Sequence, residues 1–194
     1  MINTKDIQKL REETQAPIME CKKALEETKG DKEKAKEILQ KKGELRAGKK
    51  QDRLTQSGII EPYIHANGKI GVLIELRCET DSVANNEDFH KLAHDVAMQV
   101  AATNPPYLSS QTIPSQDLEG QKKKYTEDIK DDKKPLEIKE KIIQGRLVKF
   151  FQENCLEEQM FIKDESKTIK DLINEATAKF GEKIEIGHFA RFQI

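Results

Sequence analysis

The chain has 194 residues, 36% of them charged and 36% hydrophobic, with a formal net charge of −1. This balance predicts a small apolar core beneath a charged surface, gives no support to nucleic-acid binding, and leaves no apolar run near the roughly 20 residues that span a bilayer. Because the chain has no apolar leader and its three cysteines are scattered outside any CxxC motif, we expect a cytoplasmic protein without a disulfide scaffold or a four-cysteine zinc site.

Residues 1–46 predict a separate module of three short helices. Apolar residues recur at helical spacing in three runs, and the third helix is expected to end at Gly43. Residues 1–50 contain 14 Lys or Arg and 10 Asp or Glu. This basic excess fits either an acidic partner or an ordinary solvated helical surface. Residues 47–56 have no periodicity and predict a linker.

Residues 57–194 predict an α+β core that begins with a β-hairpin. Asn67-Gly68 lies between two alternating apolar runs, which is the strongest local signal for a hairpin turn. Pro62 places the first arm at a sheet edge or a bulge, because proline donates no backbone hydrogen bond. The second arm is expected to direct one set of side chains inward: Ile70, Val72, Ile74, Leu76 and Cys78.

Helices and one more strand follow the hairpin. A long helix is predicted after Asn85 or Asn86, and residues 115–157 predict two charged helices folded back as an arm, interrupted at 131–135. Ser166 is expected to cap the last helix. The long helix after Asn85 or Asn86 has a wide apolar stripe: Phe89, Leu92, Ala93, Val96, Ala97 and Val100. The final strand alternates, with one face predicted as Ile184, Ile186, His188, Ala190 and Phe192. This order predicts a small antiparallel sheet covered by helices on one face.

The sequence has no GxxxxGK, GxGxxG, GxSxG or HExxH motif. Two other features remain as candidate functional sites. His90 and His94 are one helical turn apart, with Glu87 one turn earlier, a spacing that fits a metal site or polar residues flanking the apolar stripe. Residues 78–89 join the buried strand to the long helix, and such loops often carry function. The alternative is that Thr80 and Asp81 only cap the turn.

Several segments in the same order resemble the elongation factor Ts family, the bacterial guanine-nucleotide exchange factors of elongation factor Tu. They include LREETQAPIMECKKALEETKGDKEKAKEILQKKG at 10–43, ELRCETDSVANNEDF at 75–89 and EKIIQGRLVKFFQENCLEEQMF at 140–161. The length is similar to that of the short family members, which have one copy of a core unit that longer members carry twice. With VAMQVAATNPPYL at 96–108, the EGQKKKYTEDI segment of the arm and KDESKTIKDLI at 163–173, the resemblance covers essentially the whole chain.

The resemblance implies a function and a set of contact residues. It implies a protein that binds the GDP complex of elongation factor Tu, displaces its Mg²⁺ and promotes GDP release, with no cofactor, no metal and no catalytic residues of its own. Residues 1–46 resemble the family's ubiquitin-associated-type domain, whose implied contacts are Met19, Cys21, Lys22 and Lys23. The implied Mg²⁺-displacing loop is Thr80, Asp81, Ser82, Val83 and Ala84. The implied contacts of the core helix are Met98 and Gln99.

The resemblance has one departure that bears on function, because the family has Phe at the position of Ser82. Loss of a large apolar anchor from an interface is costly, so we expect exchange to be limited at this position. One alternative is a passive interaction module that holds elongation factor Tu, or an adaptor, without exchange activity. A metal-dependent enzyme using His90, His94 and Glu87 is a distant alternative. A symmetric homodimer would rebuild the doubled core of the longer members.

Overall fold

A computed structural model of the chain shows a mixed α and β architecture, as the sequence predicts. It describes residues 3–14, 16–130 and 135–194. The chain divides into two compact units, one comprising Met1–Ala101 with Lys170–Ile194 and the other Ala102–Ile169. The helices are α1 (Thr4–Thr14), α2 (Ile18–Glu27), α3 (Lys32–Gly48), α4 (Asp81–Ala84), α5 (Glu87–Thr103), α6 (Ser115–Asp128), α7 (Leu136–Asn154) and α8 (Ile169–Phe180). The strands are β1 (Ser57–Ile64), β2 (Ile70–Cys78), β3 (Met160–Phe161), β4 (Asp164–Thr168) and β5 (Glu185–Gln193).

Helices α1, α2 and α3 share a small apolar core of their own. Its buried members are Leu10, Cys21, Ala24, Leu25, Ala35 and Leu39. The prediction that the third helix ends at Gly43 is wrong, because α3 continues to Gly48. A glycine inside a helix costs only about 1 kcal/mol, and the lysines, glutamate and leucine on either side are good helix formers.

The sheet of the first unit has the antiparallel order β1-β2-β5. The hairpin between β1 and β2 is confirmed, and Gly68 adopts φ +66° in its turn, where its N–H donates to the carbonyl of His65 at 2.7 Å. Pro62 lies on edge strand β1, as predicted. Of the predicted inward residues of β2, Val72, Ile74, Leu76 and Cys78 are buried, whereas Ile70 is half-buried.

The predicted face of β5 is wrong over its second half. Glu75 pairs with His188 whereas Leu76 pairs with Ile186, so the register shifts and Gly187 is left as an extra residue. A bulge of this kind reverses the faces on either side of it. Ile184 and Ile186 therefore point into the core, while Phe192 is exposed on the outer face of the sheet.

Helices α5 and α8 bury their apolar faces in this unit. Asn86 caps α5 by accepting a hydrogen bond from the N–H of Asp88 at 2.9 Å. The rings of Phe89 and Phe180 meet edge to face, with centroids 6.2 Å apart. The guanidinium of Arg191 donates two 3.2 Å hydrogen bonds to the carbonyl of Ala101 near the end of α5. The predicted stripe of α5 is buried except for Leu92, which is half-buried.

The second unit contains the two predicted arm helices, α6 and α7; the predicted interruption at 131–135 falls mostly on residues outside those described. The hairpin of β3 and β4 was not predicted from the sequence. The cap assigned to Ser166 is wrong, because this residue lies in β4 and its hydroxyl donates to Asp164 Oδ1 at 2.6 Å. Among the described residues, no helix is long and apolar enough to cross a membrane.

Candidate functional site

The loop between β2 and α5 contains a single helical turn with one exposed and one buried side. Thr80 lies at the N-terminus of α4, which spans Asp81–Ala84. Val83 and Ala84 are buried beneath the turn, whereas Thr80, Asp81 and Ser82 are exposed. The loop therefore presents three polar side chains to solvent while two apolar side chains attach it to the core.

Side-chain hydrogen bonds from the ends of both hairpin strands hold this turn. Ser57 at the start of β1 donates its hydroxyl to Asp81 Oδ1 at 2.5 Å. The thiol of Cys78, the last residue of β2, donates to the carbonyl of Thr80 at 3.2 Å. Burial raises the pKa of the Cys78 thiol, which keeps it protonated as a donor. Asn85 closes the other end of the turn by donating to the carbonyl of Asp81 at 2.9 Å.

The turn between α8 and β5 contacts the start of the same loop. The carboxylate of Glu182 accepts hydrogen bonds from the backbone N–H groups of Glu79 and Thr80 at 3.2 and 3.0 Å, and from the Thr80 hydroxyl at 2.7 Å. In return, Glu79 accepts the backbone N–H of Lys183 at 2.6 Å. This N–H and the Arg53 guanidinium hold the pKa of Glu79 below its usual range.

The contact residues implied for the first module are divided between surface and core. Met19 is 61% exposed, and Lys22 and Lys23 are also exposed on α2. Cys21 is fully buried, and its thiol donates to the carbonyl of Ala16 at 3.5 Å. Its side chain therefore supports the surface that its neighbours form. Desolvation by burial also raises its pKa.

The core helix shows the same division. Met98 is half-buried on α5, whereas Gln99 is fully buried. A side chain with no exposed surface cannot reach a partner unless the helix moves. Of this pair, Met98 is the residue with accessible surface.

The two histidines of α5 lie beside a carboxylate other than the one named in the metal hypothesis. Glu61 of β1 approaches His94 Nδ1 at 3.3 Å and His90 Nδ1 at 3.8 Å. The ring of Tyr63 meets that of His94 edge to face at 5.5 Å. Within the described ranges, no group of three or more His, Cys, Asp or Glu side chains is arranged to hold a metal ion.

Comparison with known proteins identifies the family to which this loop and these helices belong. A family model described as Elongation factor TS matches residues 3–194. The chain belongs to the elongation factor Ts family. It is 50% identical to Elongation factor Ts of Thermosipho melanesiensis over 194 residues, covering 100% of this chain and 99% of the relative. It is 52% identical to that of Thermotoga maritima over 188 residues, covering 97% and 94%.

A third relative, Elongation factor Ts of Moorella thermoacetica, is 50% identical over 194 residues, covering 100% of this chain and 96% of the relative. Each of these three matches covers at least 97% of this chain. Membership in the elongation factor Ts family places the chain among the translation elongation factors.

The residues that hold the candidate loop from a distance were not predicted from the sequence. Ser57, Arg53 and Glu182 carry no motif, and Glu182 is 102 positions from Thr80 in the chain. The only local signal near Glu182 is the preceding glycine, which ends α8 with φ +73° and marks a turn. Their contribution depends on strand pairing, which brings the start of β5 beside the end of β2.

Proposed function

We propose that the chain is the guanine-nucleotide exchange factor for elongation factor Tu: it binds the GDP complex, displaces Mg²⁺ and promotes GDP release. The observation that carries the proposal is the exposed turn of Thr80, Asp81 and Ser82, anchored by buried Val83 and Ala84. Family membership over residues 3–194 supports it. A firmly attached, polar-tipped loop is suited to entering a partner's nucleotide site.

The energetics of exchange require differential binding rather than covalent catalysis. A protein that binds nucleotide-free elongation factor Tu more tightly than the GDP form must weaken GDP binding by the same factor. Mg²⁺ bridges phosphates and requires near-ideal octahedral geometry, so a loop that disturbs its ligands loosens the nucleotide. This function needs docking surfaces and an inserted loop; it needs neither a nucleophile nor a bound cofactor.

The remaining contacts with elongation factor Tu are made by those predicted residues of α2 and α5 whose side chains have accessible surface. Met19, Lys22 and Lys23 offer an apolar side chain flanked by two positive charges on α2, which suits an acidic surface on the GTPase domain. Met98 offers a flexible apolar side chain on α5. Cys21 and Gln99 act indirectly, by holding α2 and α5 in place.

The test compares GDP release from elongation factor Tu with the unmodified chain, Asp81→Ala and Asp52→Ala. Asp52 is an exposed aspartate in the segment before β1, so its substitution is a matched loss of one charge. We expect Asp81→Ala to slow assisted release by about tenfold or more and Asp52→Ala to change it by less than about twofold. Equal rates for all three proteins would contradict a role for the loop.

We also propose that the chain forms a symmetric homodimer through the outer face of its sheet. Strand pairing places Leu73 between Pro62 and Ala190, and Gly71 between Ile64 and Phe192. Ile64 and Phe192 are largely exposed, so these rows form a continuous apolar surface. A twofold axis brings such a surface against its own copy, and two sheets pack face to face readily.

A further inference from the structure

We propose that Glu182 is a positioning residue for the Thr80–Ala84 loop, a role that rests on the exchange function proposed above. The residue lies outside the loop, in the turn between α8 and β5, and is half-buried. Its carboxylate fixes the point at which the chain leaves β2 and enters α4. The loop is thereby ordered before elongation factor Tu binds.

The hydrogen bonds of Glu182 use the groups that determine the direction of α4. One carboxylate oxygen accepts both backbone N–H groups at residues 79 and 80, and the other accepts the Thr80 hydroxyl at 2.7 Å. The Thr80 side chain, although it stands at the N-cap, makes no capping hydrogen bond to α4. Glu182 therefore sets both the peptide plane and the side-chain rotamer of Thr80.

The hydrogen bonds from residues 79 and 80 to Glu182, which form the anchor of the loop, are matched by a hydrogen bond in the opposite direction. The two segments therefore resist rotation relative to each other. While Glu182 binds the N–H groups of Glu79 and Thr80, the carboxylate of Glu79 accepts the N–H of Lys183 at 2.6 Å. The neighbouring carboxylates of Glu79 and Glu182 repel each other unless a cation compensates. The Arg53 guanidinium, 3.2 Å from Glu79 Oε1, supplies this positive charge. The ammonium of Lys183 in turn donates to the carbonyl of Arg53 at 3.2 Å.

The anchor acts on exchange through the two residues that follow it. Asp81 and Ser82 come directly after Thr80 and are exposed, so their direction depends on the orientation of the Thr80 peptide. A loop already held in its binding conformation loses less freedom when it enters a partner. Since docking also uses surfaces distant from the loop, release of the anchor should reduce the maximal exchange rate more than the apparent affinity.

The kinetic test measures kcat and KM for assisted GDP release with Glu182→Ala, Glu182→Gln and the control Glu165→Ala. Glu165 is an exposed glutamate of β4. We expect Glu182→Ala to lower kcat by about tenfold or more with KM within about threefold of the unmodified value. Glu182→Gln should keep kcat within about threefold, because its amide oxygen still accepts the backbone N–H groups. A kcat for Glu182→Ala within about twofold of the unmodified chain would overturn the proposal.

Amide hydrogen exchange of the free chain separates this proposal from the proposed function. Protection at residues 79–84 should fall in Glu182→Ala and persist in Glu182→Gln and Glu165→Ala, with protection in the strands of the sheet unchanged. Unchanged protection in Glu182→Ala overturns the positioning role whatever the kinetics. If the unmodified chain does not accelerate GDP release, the exchange function fails, while loss of protection in Glu182→Ala alone still supports the ordering of the loop by Glu182.

Discussion

At the scale of single residues, Ser82 has a side chain whose size the chain's own packing does not restrict. It lies on the exposed side of α4, while its neighbours Val83 and Ala84 fill the core. A larger side chain at position 82 would extend into solvent in the free chain. On the proposed function, we therefore expect its size to affect the complex with elongation factor Tu and to leave the fold unchanged.

We predict that Ser82→Phe accelerates assisted GDP release by about fivefold or more, since an apolar anchor seated in a partner's pocket contributes about 1–3 kcal/mol. Its thermal midpoint should stay within about 2 °C of the unmodified chain, because no buried contact changes. Ser82→Ala is the control and should leave the rate unchanged. A rate for Ser82→Phe within about twofold of the unmodified chain would show that this position does not limit exchange.

The cysteines should be inert in the native chain. Cys21, Cys78 and Cys155 are all buried, and burial raises the pKa of each thiol, that of Cys155 to about 12. Because the thiolate is the reactive form, a disulfide reagent at pH 8 is expected to label none of them quickly. In denaturant all three should react within minutes. A thiol that reacts rapidly under native conditions would contradict this burial.

At the scale of elements, the sequence predicted most strands and helices. It did not predict the local irregularities that determine which way a strand's side chains or a loop point. The Asn67-Gly68 turn and the stripe of α5 are local patterns and were predicted correctly. The register shift at Gly187 was not, because a bulge is defined by the pairing of β5 with β2, which alternation in one strand does not encode. The anchor of the candidate loop by Glu182 is missing from sequence reasoning for the same reason.

Two glycines should respond oppositely to the same substitution. At Gly58 in β1, an added Cβ would overlap the carbonyl oxygen of Leu76 and lie 2.9 Å from Arg77 Cα, both backbone atoms of the paired strand. At Gly145 in α7 it would meet nothing within 4 Å. We predict that Gly58→Ala lowers the free energy of unfolding by about 1–3 kcal/mol, whereas Gly145→Ala raises it by about 0.5–1 kcal/mol. Denaturant titration measures both, and equal shifts would contradict the close approach at Gly58.

At the scale of the whole molecule, the outer face of the sheet carries exposed apolar side chains. Exposed Ile60, Ile64 and Phe192 contribute to it, and the helices of this unit leave it uncovered. A contiguous exposed apolar patch is typical of an interaction surface. The homodimer proposal assigns it to a second copy of the chain.

We predict that sedimentation equilibrium gives a mass near twice 22.2 kDa for the unmodified chain and 22.2 kDa for Ile60→Glu. Ile60 pairs with Glu75 across the sheet, so a glutamate at position 60 would be buried in the dimer beside a like charge, which strongly disfavours association. Leu136→Glu is the control, because Leu136 is also highly exposed but lies on α7. A monomeric unmodified chain, or a dimer that persists in Ile60→Glu, would contradict this assignment.

The measurement that tests the central claim most directly is turnover. Elongation factor Tu loaded with a fluorescent GDP analogue is mixed with excess unlabelled GDP at fixed free Mg²⁺ and with this chain at about one-tenth of its concentration. An exchange factor acts repeatedly, so we predict that all of the analogue is released at a rate proportional to the concentration of the chain and at least about tenfold above the unassisted rate. Release at the unassisted rate would mean that the chain does not catalyse exchange. Acceleration limited to one-tenth of the complexes would mean that the chain holds elongation factor Tu without turning over.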